Sequence, residues 1–531
     1  MLSIFSKKMF KSSIKNVMLI SLSVLMVAAL AACSSTGTSG KPETTDAKDG
    51  SGTTKPGEAE KVYVYANSGN LNHASTLSKQ EDYEAVRQEI IRQSGFEIVP
   101  IIPPKSQEGE KLNLLLASNE KLDIFMGDYK AFKDKGAIQP LNELLDKYGQ
   151  NLKKAWPKEW EDSWKAVTDK DGNIWAIPIG PGPVVLKANL FRADWLEKLD
   201  LQLPKTFDEF EHVLKEFKEK DPAGSGQTIP LITNMTGLNL ALAAGFMDVG
   251  YGNWLDKDGT IKPPELHPGY REFVAKMADW YKKGYIYKET FTLNTERYRE
   301  LIKKNRVAAA SIHFTTVTNV QYELQKIVPE ARYEVAADLK GPQGDVPTSS
   351  GQSTWGYVIN KKAPNPEATM KYLDWLNSNI DHFLLSFYGV KDKHWRYVDE
   401  GKHIVERINE DYVGEFLTGN TYVQTVGFLP NDPAGKPEFD YMGKYGEKLD
   451  WGVKKPFTVD VDYLYDHTEI SNKLPNQEDI NRMISEEITK FIMGARAMSE
   501  YDKFIQELYA AGLDKWIEVY TDQYNKAMAG K

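Results

Sequence analysis

The residue that most constrains this chain is Cys33, the single cysteine among 531 residues. It follows an apolar run from Val17 to Leu30, and that run follows Lys7, Lys8, Lys11 and Lys15 with no acidic residue among them. A basic start, an apolar core of this length and small residues before a cut mark a secretory signal peptide; a bilayer-spanning helix needs about 20 apolar residues. Leu30-Ala31-Ala32-Cys33 resembles a bacterial lipobox, in which small residues fit the signal peptidase groove and the thiol receives the lipid. Residues 1–32 therefore read as a signal peptide, and the mature chain as one anchored through Cys33 on the extracytoplasmic side of the cell membrane, at a Gram-positive cell surface. With the thiol spent, no disulfide forms within the chain, and the fold must rest on burial and hydrogen bonding.

Removing the signal peptide takes away four lysines and no acid, so the formal charge moves from −9 to about −13. An acidic surface excludes nucleic acid as a partner, because phosphate binding needs clustered Lys and Arg. Residues 34–60 contain no large apolar side chain and cannot offset chain entropy by burial, so 33–60 reads as the lipidated Cys33 and a disordered tether. The remaining 470 or so residues exceed one ordinary core, which implies two lobes in a monomer.

Along the body, Val62–Tyr65, Glu97–Ile102 and Asp123–Met126 read as strands, alternating with helices that carry Tyr83, Val86 and Ile90, then Leu112–Ala117. That alternation is the pattern of an α/β fold with a mostly parallel sheet, whose ligands sit at the carboxyl ends of strands. Asn67, Ser68, Asp128 and Tyr129 stand at such ends, although the same residue types are also ordinary turn formers. Thr168–Pro178 reads as a hairpin turned at Asp171-Gly172. Thr206 and Glu209 form a capping box before a helix with Phe207, Phe210, Val213, Leu214 and Phe217 on one face. The carboxyl end holds three helical stripes, broken at Gly494 and Gly512.

Several stretches, taken in order, resemble one family over essentially the whole chain. They include Phe191-Arg192-Ala193-Asp194-Trp195-Leu196-Glu197-Lys198-Leu199, Leu203-Pro204-Lys205-Thr206-Phe207, Asn305-Arg306-Val307-Ala308-Ala309 and Tyr372-Leu373-Asp374-Trp375-Leu376. Tyr388-Gly389-Val390 with His394-Trp395, and Ile492-Met493-Gly494 with Tyr501-Asp502-Lys503-Phe504, match too. The chain is similar to the LplA-like group of family 1 extracellular solute-binding proteins, the sugar-binding lipoproteins of ABC importers. The resemblance implies a two-lobe periplasmic-binding-protein-like fold with several hinge crossings. It also implies an oligosaccharide held in the interlobe cleft by hinge closure, and delivery to membrane permease subunits. It puts one lobe at 61–180 and 346–380 and the other at 181–345 and 381–531.

A sugar presents C–H faces and a hydroxyl rim, so its cleft wants flat aromatic surfaces and fixed polar groups. Trp254, Trp355 and Trp395 lie in turn-rich contexts and are the candidate stacking platforms, with core packing as the competing role for each. Asp128, Asn234 and His313 each follow a short apolar run and are the candidates for the rim; a lone histidine such as His313 serves structure as readily as a ligand. Catalysis is not expected: there is no HExxH, GxSxG or P-loop, and the eight histidines are scattered. A cell-surface carbohydrate-active enzyme and an oligopeptide-binding receptor are the alternatives. No cofactor or metal is expected. Some relatives carry a calcium loop matching Asp221-Pro222-Ala223-Gly224-Ser225-Gly226-Gln227-Thr228-Ile229-Pro230, where the closing acids have here become Ile229 and Pro230. Calcium asks for six to eight oxygens, several of them charged. Asp256-Lys257-Asp258-Gly259 opens like a metal loop but has His267 at its twelfth position, and reads as a hairpin turn.

Overall fold

The structure, a computed structural model, describes residues 59–66, 74–104, 107–179, 187–224, 226–346, 353–413, 428–431, 435–437, 459 and 461–529. Cys33, the signal peptide, the tether up to 58, and Asn67 and Ser68 lie outside them. In chain order the first strands are β1 (Glu60–Tyr65), β2 (Phe96–Ile101), β3 (Ile124–Asp128), β4 (Ile177–Pro178), β5 (Lys187–Arg192) and β6 (Ile229–Thr233). There follow β7 (Trp254–Leu255), β8 (Ile261–Lys262), β9 (Val307–His313), β10 (Tyr333–Val335), β11 (Lys340–Gly341), β12 (Gly344–Asp345) and β13 (Trp355–Ile359). The last are β14 (Trp395–Asp399), β15 (Ile404–Arg407) and β16 (Leu429–Pro430).

Two principal sheets form, with strand orders β2-β1-β3-β13-β4 and β10-β5-β9-β6. The first is parallel through β1, β2 and β3, and β13 closes it antiparallel to β3 and β4. Its strands alternate: Val62 and Val64 bury against Val86, Ile90, Tyr372 and Leu373, while Tyr65, Phe125 and Val358 face Leu112 and Leu115. In the second sheet Phe191 and Leu231 meet Phe210, Phe217 and Trp280, and Leu190, Ile232 and Ile312 meet Leu301 and Val317 on the other face. Both faces of both sheets are therefore covered by helices, the arrangement of an α/β fold.

The local signals hold. Thr206 accepts from the Glu209 amide and Glu209 answers to the Thr206 amide, so the helix Phe207–Lys220 starts where the capping box puts it. Asp169 Oδ1 accepts from the amides of Asp171 and Asn173 and closes the hairpin bridged at Thr168 and Ile174. The carboxyl-terminal helices run over Gln477–Met493, Tyr501–Ala510 and Leu513–Ala529, and their Phe491, Phe504 and Trp516 join the core of the second sheet.

Packing of residues 380–413 differs from the expectation that everything after 380 belongs with the second sheet. Leu385 of the helix Ile380–Tyr388 enters the core of the first sheet together with Tyr412. His394 Nε2 lies 2.9 Å from Asp82 on the helix Gln80–Ser94, and Lys79 donates its amide to Asp411 O at 2.9 Å. His394 Nδ1 accepts the Val390 amide at 2.8 Å, so Nε2 carries the proton and donates to Asp82. Burial lowers the pKa of this imidazole, and its bond, together with that of Lys393, holds the Asp82 carboxyl below its ordinary range. Gly389, at φ 95°, lies so close that a Cβ there would come within 2.4 Å of His394 Nδ1. These groups fasten the stretch to the first sheet.

Candidate functional site

The strand directions bring chemistry to one edge of each sheet. β1, β2 and β3 run parallel, so Tyr65, Ile101 and Asp128 end at a common carboxyl edge, and β13 starts there with Trp355 paired to Asp128. In the second sheet β6 and β9 end in parallel at Thr233 and His313, and β5 starts at that edge with Lys187 paired to His313. The chain passes from the end of β4 directly to the start of β5, and from Val346, buried in the second core, to the start of β13. Nine residue steps separate Pro178 from Lys187, which extended chain spans in at most about 30 Å. The first crossing thus ties the carboxyl edge of one sheet to the carboxyl edge of the other, where open α/β sheets bind ligands, and the second runs from the core of the second sheet back to that edge of the first.

On the first edge, Asp128 caps the helix Tyr129–Asp134 by accepting the Lys130 amide at 3.1 Å. Trp355 is 44% exposed, and it is the one exposed residue among the described tryptophans. Gly356 beside it admits close approach of β4, since a Cβ there would meet Ile177 O at 2.4 Å. Lys130 Nζ donates to Tyr465 O at 2.7 Å, and Asp134 accepts from the Thr468 hydroxyl, so the 462–468 segment lies over this edge. Burial lowers the Lys130 pKa against the pull of Asp128, Asp466 and Asp462, and burial raises that of Asp462. His467 is lowered by burial and by Lys130.

The second edge is built more tightly. Asn234 caps the helix Met235–Leu242 by accepting the Gly237 amide at 2.7 Å, and Thr233 donates its hydroxyl to Ser311 O at 2.7 Å. A Cβ on Gly237 would lie 2.0 Å from Ser311 O, so only glycine lets this helix seat on β9. His313 stacks on Phe314 at 5.3 Å between ring centroids, and its Nδ1 lies 2.9 Å from Thr315 Oγ1 while the Thr315 amide points at the same nitrogen. Burial, reinforced by Lys187 and Arg299, pushes its pKa down to about 4, so the ring is neutral near pH 7. With Nδ1 accepting, Nε2 holds the proton and is the group left to donate.

Of the site candidates named from the sequence, Asp128 and Trp355 come together on one edge and Asn234 and His313 on the other. Trp254 and Trp395 are corrected to packing residues. Trp254 is 8% exposed, donates its indole N–H to Pro263 O at 3.2 Å and meets His267 edge-on at 4.8 Å. Trp395 is 1% exposed and donates to Gly389 O at 2.7 Å. Neither offers a free ring face. Sequence reasoning missed Lys187, Lys130, Asp462 and His467; the one available signal was Lys187, the sole charge in the run Val184–Phe191.

Two acidic loops and one cavity lie elsewhere. The Asp221 carboxylate accepts from the amides of Gly226 and Thr228 and from the Thr228 hydroxyl, at 2.6–3.0 Å, and these bonds hold its pKa down. Asp256 and Asp258 share Lys262 in the β7–β8 hairpin. Among the described residues no group of three or more His, Cys, Asp or Glu is arranged to hold a metal. A cavity of about 550 Å³ opens between the helices Gln80–Ser94 and Ile380–Tyr388, away from both edges. Its polar groups are mostly spent on each other: Tyr397 donates to Asp381, Lys391 pairs with Glu400, and Glu89 accepts from Arg92 and Gln93.

A family model described as bacterial extracellular solute-binding protein matches residues 85–381. The chain is 25% identical to the fructooligosaccharide ABC transporter substrate-binding protein FusA of Streptococcus pneumoniae serotype 4, over 98% of this chain and 99% of that one. It is 24% identical to the lipoprotein LipO of Bacillus subtilis, over 61% of this chain and 66% of that one. Among solved structures, an EF-hand mutant of S. pneumoniae FusA in complex with fructo-nystose superposes with a TM-score of 0.65 at 20% identity, covering 89% of this chain and 100% of that one.

Proposed function

The chain belongs to the bacterial extracellular solute-binding proteins, and from that membership we propose that it is the capture component of an ABC importer, holding an oligosaccharide between the two carboxyl edges. The observation that carries this reading is the pairing of an open indole, Trp355, with Asp128 on one edge, while Asn234 and the His313 Nε2 donor occupy the edge tied to it by the Pro178–Lys187 crossing. An open indole stacks on a sugar ring face, and the fixed polar groups address its hydroxyls. The lobes are the first sheet with 353–413 and the second sheet with the carboxyl-terminal helices, and hinge motion through the crossings closes them on the solute. Lipidated Cys33 holds the monomeric protein at the cell surface, beside the permease subunits that receive the sugar.

The sugar is bound and released unchanged. The test is a thermal-shift screen of the purified protein against an oligosaccharide panel, since a ligand that binds only the native state raises the melting temperature. The best ligand is then incubated for hours and analysed by mass spectrometry. Its return intact supports the binding role. Cleavage that follows the protein through purification favours a carbohydrate-active enzyme, and stabilisation by peptides alone favours an oligopeptide receptor.

A further inference from the structure

Two hydrogen bonds join groups that belong to different cores. The helix Tyr129–Asp134 is fastened to the first sheet: Tyr129 is buried in one cluster with Leu112 and Leu115, Phe132 meets Phe125 edge-on at 4.9 Å, and Lys133 pairs with Asp169 at 2.8 Å. The segment 461–470 is fastened to the second. Val461, Tyr465 and Ile470 enter its core, the Asp466 amide donates to Gln523 Oε1 at 2.9 Å, and Glu469 accepts from Gln523 and Lys526. Between the two, Lys130 Nζ donates to Tyr465 O at 2.7 Å and the Thr468 hydroxyl donates to Asp134. Asp462 and Asp466, on the far side of the contact, attract the same ammonium.

Both bonds are polar and nothing apolar accompanies them. Among the described residues no hydrophobic cluster takes members from both the helix Tyr129–Asp134 and the segment 461–470. Apolar burial therefore holds each side to its own sheet and does not span the contact, the condition under which two lobes move against each other by default. The contact lies over the edge that carries Asp128 and Trp355, so hinge opening through the crossings parts it. The half-buried Lys130 ammonium reaches the Tyr465 carbonyl only while the lobes are together, because a hydrogen bond does not survive a stretch of an ångström.

We infer that Lys130 is a positioning residue for capture: through Tyr465 O, and with Thr468 and Asp134 beside it, it latches the two lobes in the closed arrangement without touching the solute. This inference rests on the proposed solute-binding function. Such a latch stabilises the closed state whichever solute lies in the cleft. Its loss lowers every affinity by one common factor, the factor by which the closed population falls. A group that touched the sugar would instead weaken some sugars more than others.

The experiment pairs small-angle X-ray scattering of the ligand-free protein with titration calorimetry, on the purified parent, Lys130→Met, Lys130→Arg and Thr468→Val. The sugars are the two tightest binders from a panel of tetrasaccharides built from glucose, xylose, mannose, fructose and galacturonate units. Lys130→Met and Thr468→Val should each enlarge the ligand-free radius of gyration, and saturating sugar should return both to the parent value. Each should weaken the two sugars by one and the same factor, about three- to tenfold for a lost hydrogen bond. Lys130→Arg keeps a charged donor and should restore most of the affinity and the compact form. If Lys130→Met fails to fold, Thr468→Val, at an exposed position, carries both readings. Folded variants that scatter as the parent does, or a loss that falls on one sugar and spares the other, would overturn the latch and leave solute capture standing. A folded parent that binds no sugar of the panel would overturn the proposed function and the coupling of the latch to capture with it.

Discussion

Glu265 offers a stability test whose size follows from its surroundings. It lies in the 3-10 turn Pro264–Leu266, is 5% exposed, and is surrounded by Tyr251, Tyr270 and Tyr501. Desolvation is the main cause that raises its pKa from 4.5 to about 7, and no cation offsets it. The folded state therefore holds this proton more tightly than the unfolded chain does. The resulting stabilisation is fully present below the unfolded pKa near 4.5 and is lost as pH rises through about 7. At 1.36 kcal/mol per unit the whole effect is about 3 kcal/mol, of which about 2–3 kcal/mol falls between roughly pH 5 and pH 8. A glutamine in this place would keep the shape and never ionise, so Glu265→Gln should gain stability over the parent as pH rises. Urea unfolding of both proteins across that range isolates the effect, because all other titrating groups cancel in the difference. A stability difference that stays constant from pH 5 to pH 8 would show that Glu265 is not held neutral by burial, and would refute the reasoning.

The remaining expectations concern the site and the anchor. Trp355→Ala should cost about 1–3 kcal/mol of oligosaccharide affinity, by analogy with stacking of bases on aromatics, read by titration calorimetry on the folded variant. Trp395→Ala should leave affinity in place and cost about 3–5 kcal/mol of stability in urea melts, since it empties a buried aromatic site and strands Gly389 O. Cys33→Ala should accumulate as an unlipidated precursor, and normal incorporation of labelled lipid by that variant would contradict the anchor assignment.

The fold was largely legible because its signals are local. A capping box, a hairpin turn and apolar stripes at helical spacing each depend on residues a few positions apart, and Thr206, Asp169 and Phe491 behave in the structure as those spacings require. The site was half legible for the opposite reason. Trp254, Trp355 and Trp395 share a turn-rich context in the sequence. What separates them is whether a backbone carbonyl stands where the indole N–H can reach it while the ring packs, and Pro263 O and Gly389 O do so for two of the three. No spacing rule encodes that, because those carbonyls are positioned by the tertiary packing of the hairpin and of the Asp82–His394 anchor.

Charge at the edges was less legible still. Lys130 is balanced by a segment more than three hundred residues later, with Tyr465 O as its acceptor, so its sequence neighbours say nothing about whether it is spent. Lys187 is the converse case: a lone charge in an apolar strand, which a local reading takes for a residue at a strand end. Only the antiparallel pairing sets it across the ladder from His313 at the carboxyl edge. The two edges consequently play unequal roles. The first presents an open ring beside Asp128, whose carboxylate is fixed by the Lys130 amide, which suits a sugar face whatever its substituents. The second presents the helix start capped by Asn234 and the neutral His313 ring, fixed polar groups that suit hydroxyls. Stacking on Trp355 would then supply affinity shared by many sugars, and the fixed polar groups of the second edge the discrimination among them, because a site built to hydrogen-bond a hydroxyl loses most when that hydroxyl is missing.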